Sequence, residues 1–150
     1  MRQLQQITFL VLLVLFTIGC SGNLQKEAEL TYPDGTPLKE VFYTYVGNKK
    51  TIVKEIRYFP NGIKELEGSF DEHGNKDGKW IYYYDSGKKW LEENYKSGKK
   101  NGRFVEWYLS GKKSFEGNYK NGFADGKWTF WNENGEKLKS VMYKNGDIAK

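Results

Sequence analysis

An all-β fold is predicted by three observations: an elongated single-sheet array of stacked β-hairpins, four to five repeats long. Glycines recur every 24 residues, as Gly87, Gly111 and Gly135; as Gly74, Gly98, Gly122 and Gly146; and as Gly78, Gly102 and Gly126. Aromatic residues keep the same step: Trp80, Phe104 and Trp128; Tyr83, Trp107 and Trp131; Tyr95, Tyr119 and Tyr143. Between the glycines lie short segments rich in aromatic and β-branched residues, and no window shows the 3.6-residue period of a helix. A fixed period in this range marks a repeat architecture, in which each unit buries its apolar side chains only against its neighbours.

The first 19 residues stand apart from the fold. Arg2 supplies a short positive region, and Ile7 to Ile18 is apolar except for Thr8 and Thr17. As a helix this run would reach roughly 18 Å, against a bilayer core of about 30 Å. The run ends Thr17-Ile18-Gly19-Cys20, which resembles the lipobox of a bacterial lipoprotein signal peptide, with Thr17 where that motif prefers Leu. The resemblance implies removal of residues 1–19, acylation of Cys20 and a lipid-anchored, extracytoplasmic protein of the cell envelope. With Ser21 rather than Asp next, it implies the outer membrane in a Gram-negative cell. Cys20 is the chain's single cysteine, and acylation gives a lone thiol in an exported protein its reason. Residues 20–31 read as a lipid-anchored tether.

The repeat domain is expected over 32–150. A degenerate copy begins near Tyr32, with Gly35, Glu40, Tyr43 and Gly47 in matching places. The next runs through Tyr58, Gly62, Leu66, Glu67, Phe70, Gly74 and Gly78, with one extra residue expected between Gly62 and Phe70. Full units follow from Lys79, Arg103 and Lys127. In the unit from Lys79, Trp80 to Tyr84 is one strand. Asp85-Ser86-Gly87 is a three-residue hairpin loop with glycine at the left-handed position. Lys89 to Tyr95 is the return strand, with Leu91, Glu93 and Tyr95 on one face and Trp90, Glu92 and Asn94 on the other. Lys96 to Gly102 is a tight turn into the next unit. In the last unit Leu138, Val141 and Met142 replace more polar or small residues, as in a terminal cap.

The repeated unit, Y-x-x-G-x-x-x-G-x-W/F followed by G-K-K and E-x-x-Y, resembles the MORN-type repeat. It is closest to the bacterial variant of small exported or antitoxin-like proteins. The resemblance covers Tyr58 to Lys150 well and Tyr32 to Arg57 weakly. It implies a MORN-like hairpin solenoid with an interaction role and no catalytic residue. Tyr95 to Gly98 holds one more residue than the eukaryotic repeat, and the terminal G-x-G pair is missing. Gly78 to Lys88 also resembles a choline- or wall-binding repeat. Those units have a period nearer 20 and no E-x-x-Y return strand, whereas Glu67, Glu92 and Glu116 each precede Phe70, Tyr95 and Tyr119 by three.

The chemistry points away from catalysis. One His and one Cys exclude a His/Cys zinc site and an intrachain disulfide. His73 sits in a turn, and Glu92, Glu93 and Glu116 recur with the repeat as an exposed, structural row. No phosphate-binding glycine motif occurs. No enzyme activity, cofactor or nucleic-acid partner is expected. Residues 21–78 hold 8 basic against 10 acidic side chains, and residues 79–150 hold 15 against 9. The basic half places Lys88, Lys89, Lys112 and Lys113 at hairpin ends, where they either meet a partner or keep the turns soluble. Tyr83, Trp107 and Trp131 should lie opposite the Trp80, Phe104 and Trp128 ladder, as a binding strip or as a second packed row. These seven residues are the candidate contact surface. The partner expected is an envelope protein, with anionic lipid or wall glycan as further candidates. The functions that follow are a membrane-anchored binding or scaffold module, an immunity protein against a toxin, or a wall binder.

Overall fold

The structure, a computed structural model, describes residues 23–149. The strands are β1 (Gln25–Thr31), β2 (Pro37–Val46), β3 (Lys49–Tyr58), β4 (Lys64–Phe70), β5 (Lys76–Tyr83), β6 (Lys89–Lys96), β7 (Lys99–Lys100), β8 (Gly102–Trp107), β9 (Lys113–Lys120), β10 (Phe123–Trp131), β11 (Lys137–Lys144) and β12 (Asp147–Ile148). They form one open antiparallel sheet whose spatial order is the chain order, with β7 and β8 both beside β6. Eleven strand positions at the usual spacing give a width of about 48 Å. Among the described residues no helix is long and apolar enough to cross a membrane. Cys20 and the segment before it lie outside the described residues.

Two kinds of turn alternate because the two ends of each hairpin carry different residues. At one end the loop has three residues: Tyr84 N–H donates to Lys88 O at 2.8 Å and Gly87 N–H to Tyr84 O at 2.9 Å, with Gly87 left-handed at φ 82°. The same pattern recurs at Tyr32–Thr36, Phe59–Ile63, Tyr108–Lys112 and Asn132–Glu136. At the other end Ser97-Gly98, Asn121-Gly122 and Asn145-Gly146 have positive φ at both positions, the tight turn whose twist matches the strands. The extra residue of the second copy lies here, after Phe70 rather than before it. Asp71–Asn75 is a three-residue loop, held by Asp71 Oδ1 accepting from the N–H of His73 and Asn75.

The core is one face of the sheet. Trp80, Phe104 and Trp128 are 1%, 7% and 5% exposed. They recur across it with Tyr95, Tyr119 and Tyr143, because Gly78 pairs with Tyr95, Gly102 with Tyr119 and Gly126 with Tyr143. The pairing puts both ladders on one face, since Trp80 stands opposite Glu93 and Tyr82 opposite Leu91. Trp80 and Trp128 each lie over a glycine of the preceding strand, and a methyl group at Gly68 or Gly117 would fall inside the indole of Trp80 or Trp128. The indole N–H groups donate to Ser69 O at 3.0 Å and Asn118 O at 3.2 Å. Ring pairs carry the packing along the sheet: Phe70–Trp80 at 5.2 Å, Phe104–Trp128 at 5.7 Å, Tyr119–Trp128 at 5.1 Å and Trp128–Tyr143 at 6.0 Å.

The structure corrects three further expectations of strand and face. Residues 25–31, placed in the tether, are strand β1, paired with β2 from Gln25–Tyr43 to Thr31–Pro37. They lack turn and aromatic signals, but their charges alternate in register with β2 and β3, as in Lys26–Glu40 and Lys39–Glu29, both 2.6 Å. Trp90 does not share a face with Glu92. It is a bulge residue, since Tyr82 pairs with Leu91 and Tyr83 with Lys89. Its ring meets Tyr82 at 6.2 Å and Tyr84 at 6.3 Å. The last hairpin is not a buried cap: Val141 stands opposite Trp128, but Leu138 and Met142 are exposed.

Candidate functional site

The face opposite the tryptophans is built from two parallel rows. The central row alternates acidic and mostly β-branched residues through paired positions: Glu40, Ile56, Glu67, Ile81, Glu92, Val105, Glu116, Thr129 and Ser140. Nearer the three-residue turns, a second row alternates aromatic and cationic residues: Tyr58 with Lys64, Tyr83 with Lys89, Trp107 with Lys113, and Trp131 with Lys137. Both alternations follow from the sequence. Side chains two apart on a strand share a face, and the 24-residue step returns the same residue types to neighbouring hairpins.

The rows are tied together by charge. Lys54 and Lys64 reach Glu67 at 3.1 and 3.3 Å, and Lys79 and Lys89 reach Glu92 at 3.1 and 3.3 Å. Arg103 and Lys113 reach Glu116 at 3.3 and 2.7 Å. In these three repeats one glutamate is thus held between a cation of the preceding strand and a cation three residues earlier. Burial pushes the carboxyls of Glu67 and Glu92 up, but the hydrogen bonds they accept more than reverse this and both stay below the ordinary range. Glu116 is held low chiefly by its bond from Lys113. Tyr83 donates its hydroxyl to Glu67 at 2.8 Å, and burial followed by that bond pushes it up to about 12. Glu92 is 5% exposed and Glu67 and Glu116 are half-buried, so the row is structural but not exposed as expected, while Glu93, 4% exposed, lies on the tryptophan face. A buried carboxylate needs such partners, because an unpaired one would cost several kcal/mol.

The seven contact candidates divide by geometry. Tyr83, Trp107 and Trp131 share the expected face and are half-buried. Lys89 lies 5.9 Å from the Trp107 ring and Lys113 5.6 Å from the Trp131 ring, so the strip interleaves aromatic faces with ammonium groups. Lys88 and Lys112 do something else. Their ammonium groups donate to the carbonyls of Leu109 at 3.0 Å and Asn134 at 2.8 Å, joining one turn to the next. Lys112, Lys113, Trp131, Asn134 and Gly135 together line a shallow hollow of about 460 Å³. Sequence reasoning missed a larger cleft of about 760 Å³, walled by Phe59, Pro60, Glu65, Tyr82, Tyr84 and Trp90. Its signal was a break in a repeated staple. Tyr32, Tyr84 and Tyr108 donate to the carbonyls of Tyr58, Trp107 and Trp131, and the matching position is Phe59, which has no hydroxyl.

His73 lies in an exposed turn, 3.6 Å from Glu72. A search of curated proteins finds no match to the chain. The region where glycine, aromatic and glutamate periods coincide is another matter: residues 76–97, 100–121 and 124–145, three consecutive hairpin units, match the MORN repeat variant.

Proposed function

We propose that this chain is a non-enzymatic protein-binding module, held at the cell-envelope membrane by acylation of Cys20. It meets its partner through the strip of Tyr83, Trp107 and Trp131. The observation that carries this reading is the alternation of half-buried aromatic rings with ammonium groups across successive hairpins. Tyr and Trp present large rigid contact area with a polar edge, the composition that dominates protein recognition. The repeated glutamates are engaged by lysine and arginine, which leaves them structural work rather than acid–base chemistry.

The test is affinity capture from envelope extracts with residues 21–150 as bait, comparing the native sequence with the Trp107→Ser/Trp131→Ser double variant. A stoichiometric protein retained by the first and lost from the second, with the strand signature of circular dichroism unchanged, supports the strip. Equal retention by both sinks it. The identity of that protein separates a scaffold from an immunity protein, since the latter holds a toxin one to one. Lipidation is checked by mass spectrometry of the native protein: an acylated N-terminal Cys20 is expected, and an intact Met1 or an unmodified Cys20 overturns the anchor. The cleft walled by Phe59, Tyr82, Tyr84 and Trp90 favours a second reading, stacking of wall glycan. Retention by a peptidoglycan pellet that Trp90→Ser abolishes would move the assignment there.

A further inference from the structure

The glutamate clamp is complete in three hairpins and open in the fourth. Counting one repeat on from Arg103, Lys113 and Glu116 gives Lys127, Lys137 and Ser140. Both cations are kept and the carboxylate is gone. Ser140 stands opposite Thr129, their hydroxyls 3.1 Å apart, where the other hairpins carry a buried or half-buried glutamate. Among the described residues neither Lys127 nor Lys137 forms an ion pair, whereas their counterparts Lys79, Lys89, Arg103 and Lys113 all do.

The place is also the edge of the described sheet. β11 is paired on its outer side only at Tyr143 and Lys144, by β12. From Lys137 to Val141 its outer edge pairs with no described strand. Met142, 51% exposed, shares the face of Ser140, while Leu138, 63% exposed, is the bulge residue between Lys137 and Lys139. An open edge accepts an extended segment through main-chain hydrogen bonds, and side chains then choose which segment. Here the local charge is positive and missing one carboxylate, with the exposed apolar side chain of Met142 beside it.

We infer that the outer edge of β11 binds an extended acidic segment of a partner protein. That segment lies antiparallel to Lys137–Val141 and places a Glu or Asp side chain over Ser140, between Lys127 and Lys137. The absent carboxylate is then supplied in trans. This rests on the protein-binding reading but not on the aromatic strip, so the two fail separately: the strip variant can lose capture while the edge still selects its peptide.

The probe is a capped pentapeptide, Thr-Val-Glu-Val-Thr, with its Gln analogue as control, titrated into the protein and followed by the backbone amide shifts of Ser140 and Val141. The Glu peptide is expected to bind about fivefold tighter than the Gln peptide, the preference shrinking as salt is raised. Lys127→Gln should erase the preference. Ser140→Glu, which restores the arrangement of the other three hairpins and so keeps the fold, should erase it as well. Equal binding of the two peptides, no binding, or shifts confined to other strands overturns the proposal. So does sedimentation showing that the edge is already filled by β1 of a second copy.

Discussion

At the residue scale the fold rests on complementary pairs rather than on single anchors. Trp80 and Trp128 are buried because Gly68 and Gly117 leave room beneath them. Gly68→Ala and Gly117→Ala are expected to cost about 1–3 kcal/mol each by overpacking, read as a lowered denaturation midpoint with unchanged slope. The partner change Trp80→Ala should cost about 3–5 kcal/mol. The clamps give the molecule an acid limit. Glu67, Glu92 and Glu116 have folded-state pKa values below their unfolded ones. The stability they contribute is therefore fully present above the unfolded value of roughly 4.3 and is lost as pH falls through the folded values. Glu106, pushed up by burial, acts in the opposite sense. Thermal unfolding between about pH 3 and 6 should show a falling midpoint, less steep in Glu92→Gln and steeper in Glu106→Gln.

At the element scale the turns decide register. Ser97, Asn121 and Asn145 hold the same left-handed position at φ 46°, 52° and 53°. Asparagine tolerates that conformation better than serine. Ser97→Asn should therefore raise stability by roughly 0.5 kcal/mol, measured by thermal denaturation. The hairpins and their two turn types were legible in the sequence because turn chemistry is local: Asp85-Ser86-Gly87 and Asn121-Gly122 announce their geometry in a few residues. The bulge at Trp90 was not, because alternation counts residues and a bulge inserts one silently. Nor was β1, whose pairing depends on ion pairs with residues 10 to 23 positions away. On the candidate surface, the face of Tyr83, Trp107 and Trp131 was readable from their repeat phase. The engagement of Lys88 and Lys112 with neighbouring turns was not, because a lysine's reach is invisible in its spacing.

At the scale of the whole molecule stability is a sum of hairpins and the contacts between neighbours. The middle hairpins bury Trp80, Phe104 and Val105, while β11 has no fully buried residue. Hydrogen exchange should accordingly show amides of β11 and β12 opening well before those of β6, β8 and β9. Uniform protection from β1 to β12 would contradict a neighbour-by-neighbour sheet.

The tryptophan-over-glycine fit has a consequence for how such an array can grow or shrink. Gly68 serves Trp80 and Gly117 serves Trp128, but the strand before Phe104 carries Glu93, engaged by Tyr95 at 2.6 Å and by Lys100 at 2.6 Å. Each fit therefore straddles a hairpin boundary. Excision of one 24-residue unit in the middle would bring a glutamate beneath a tryptophan. Loss of the hairpin from Arg103 to Gly126 is thus barred by its neighbours, whereas its duplication, which sets Gly117 beneath a second phenylalanine, is not.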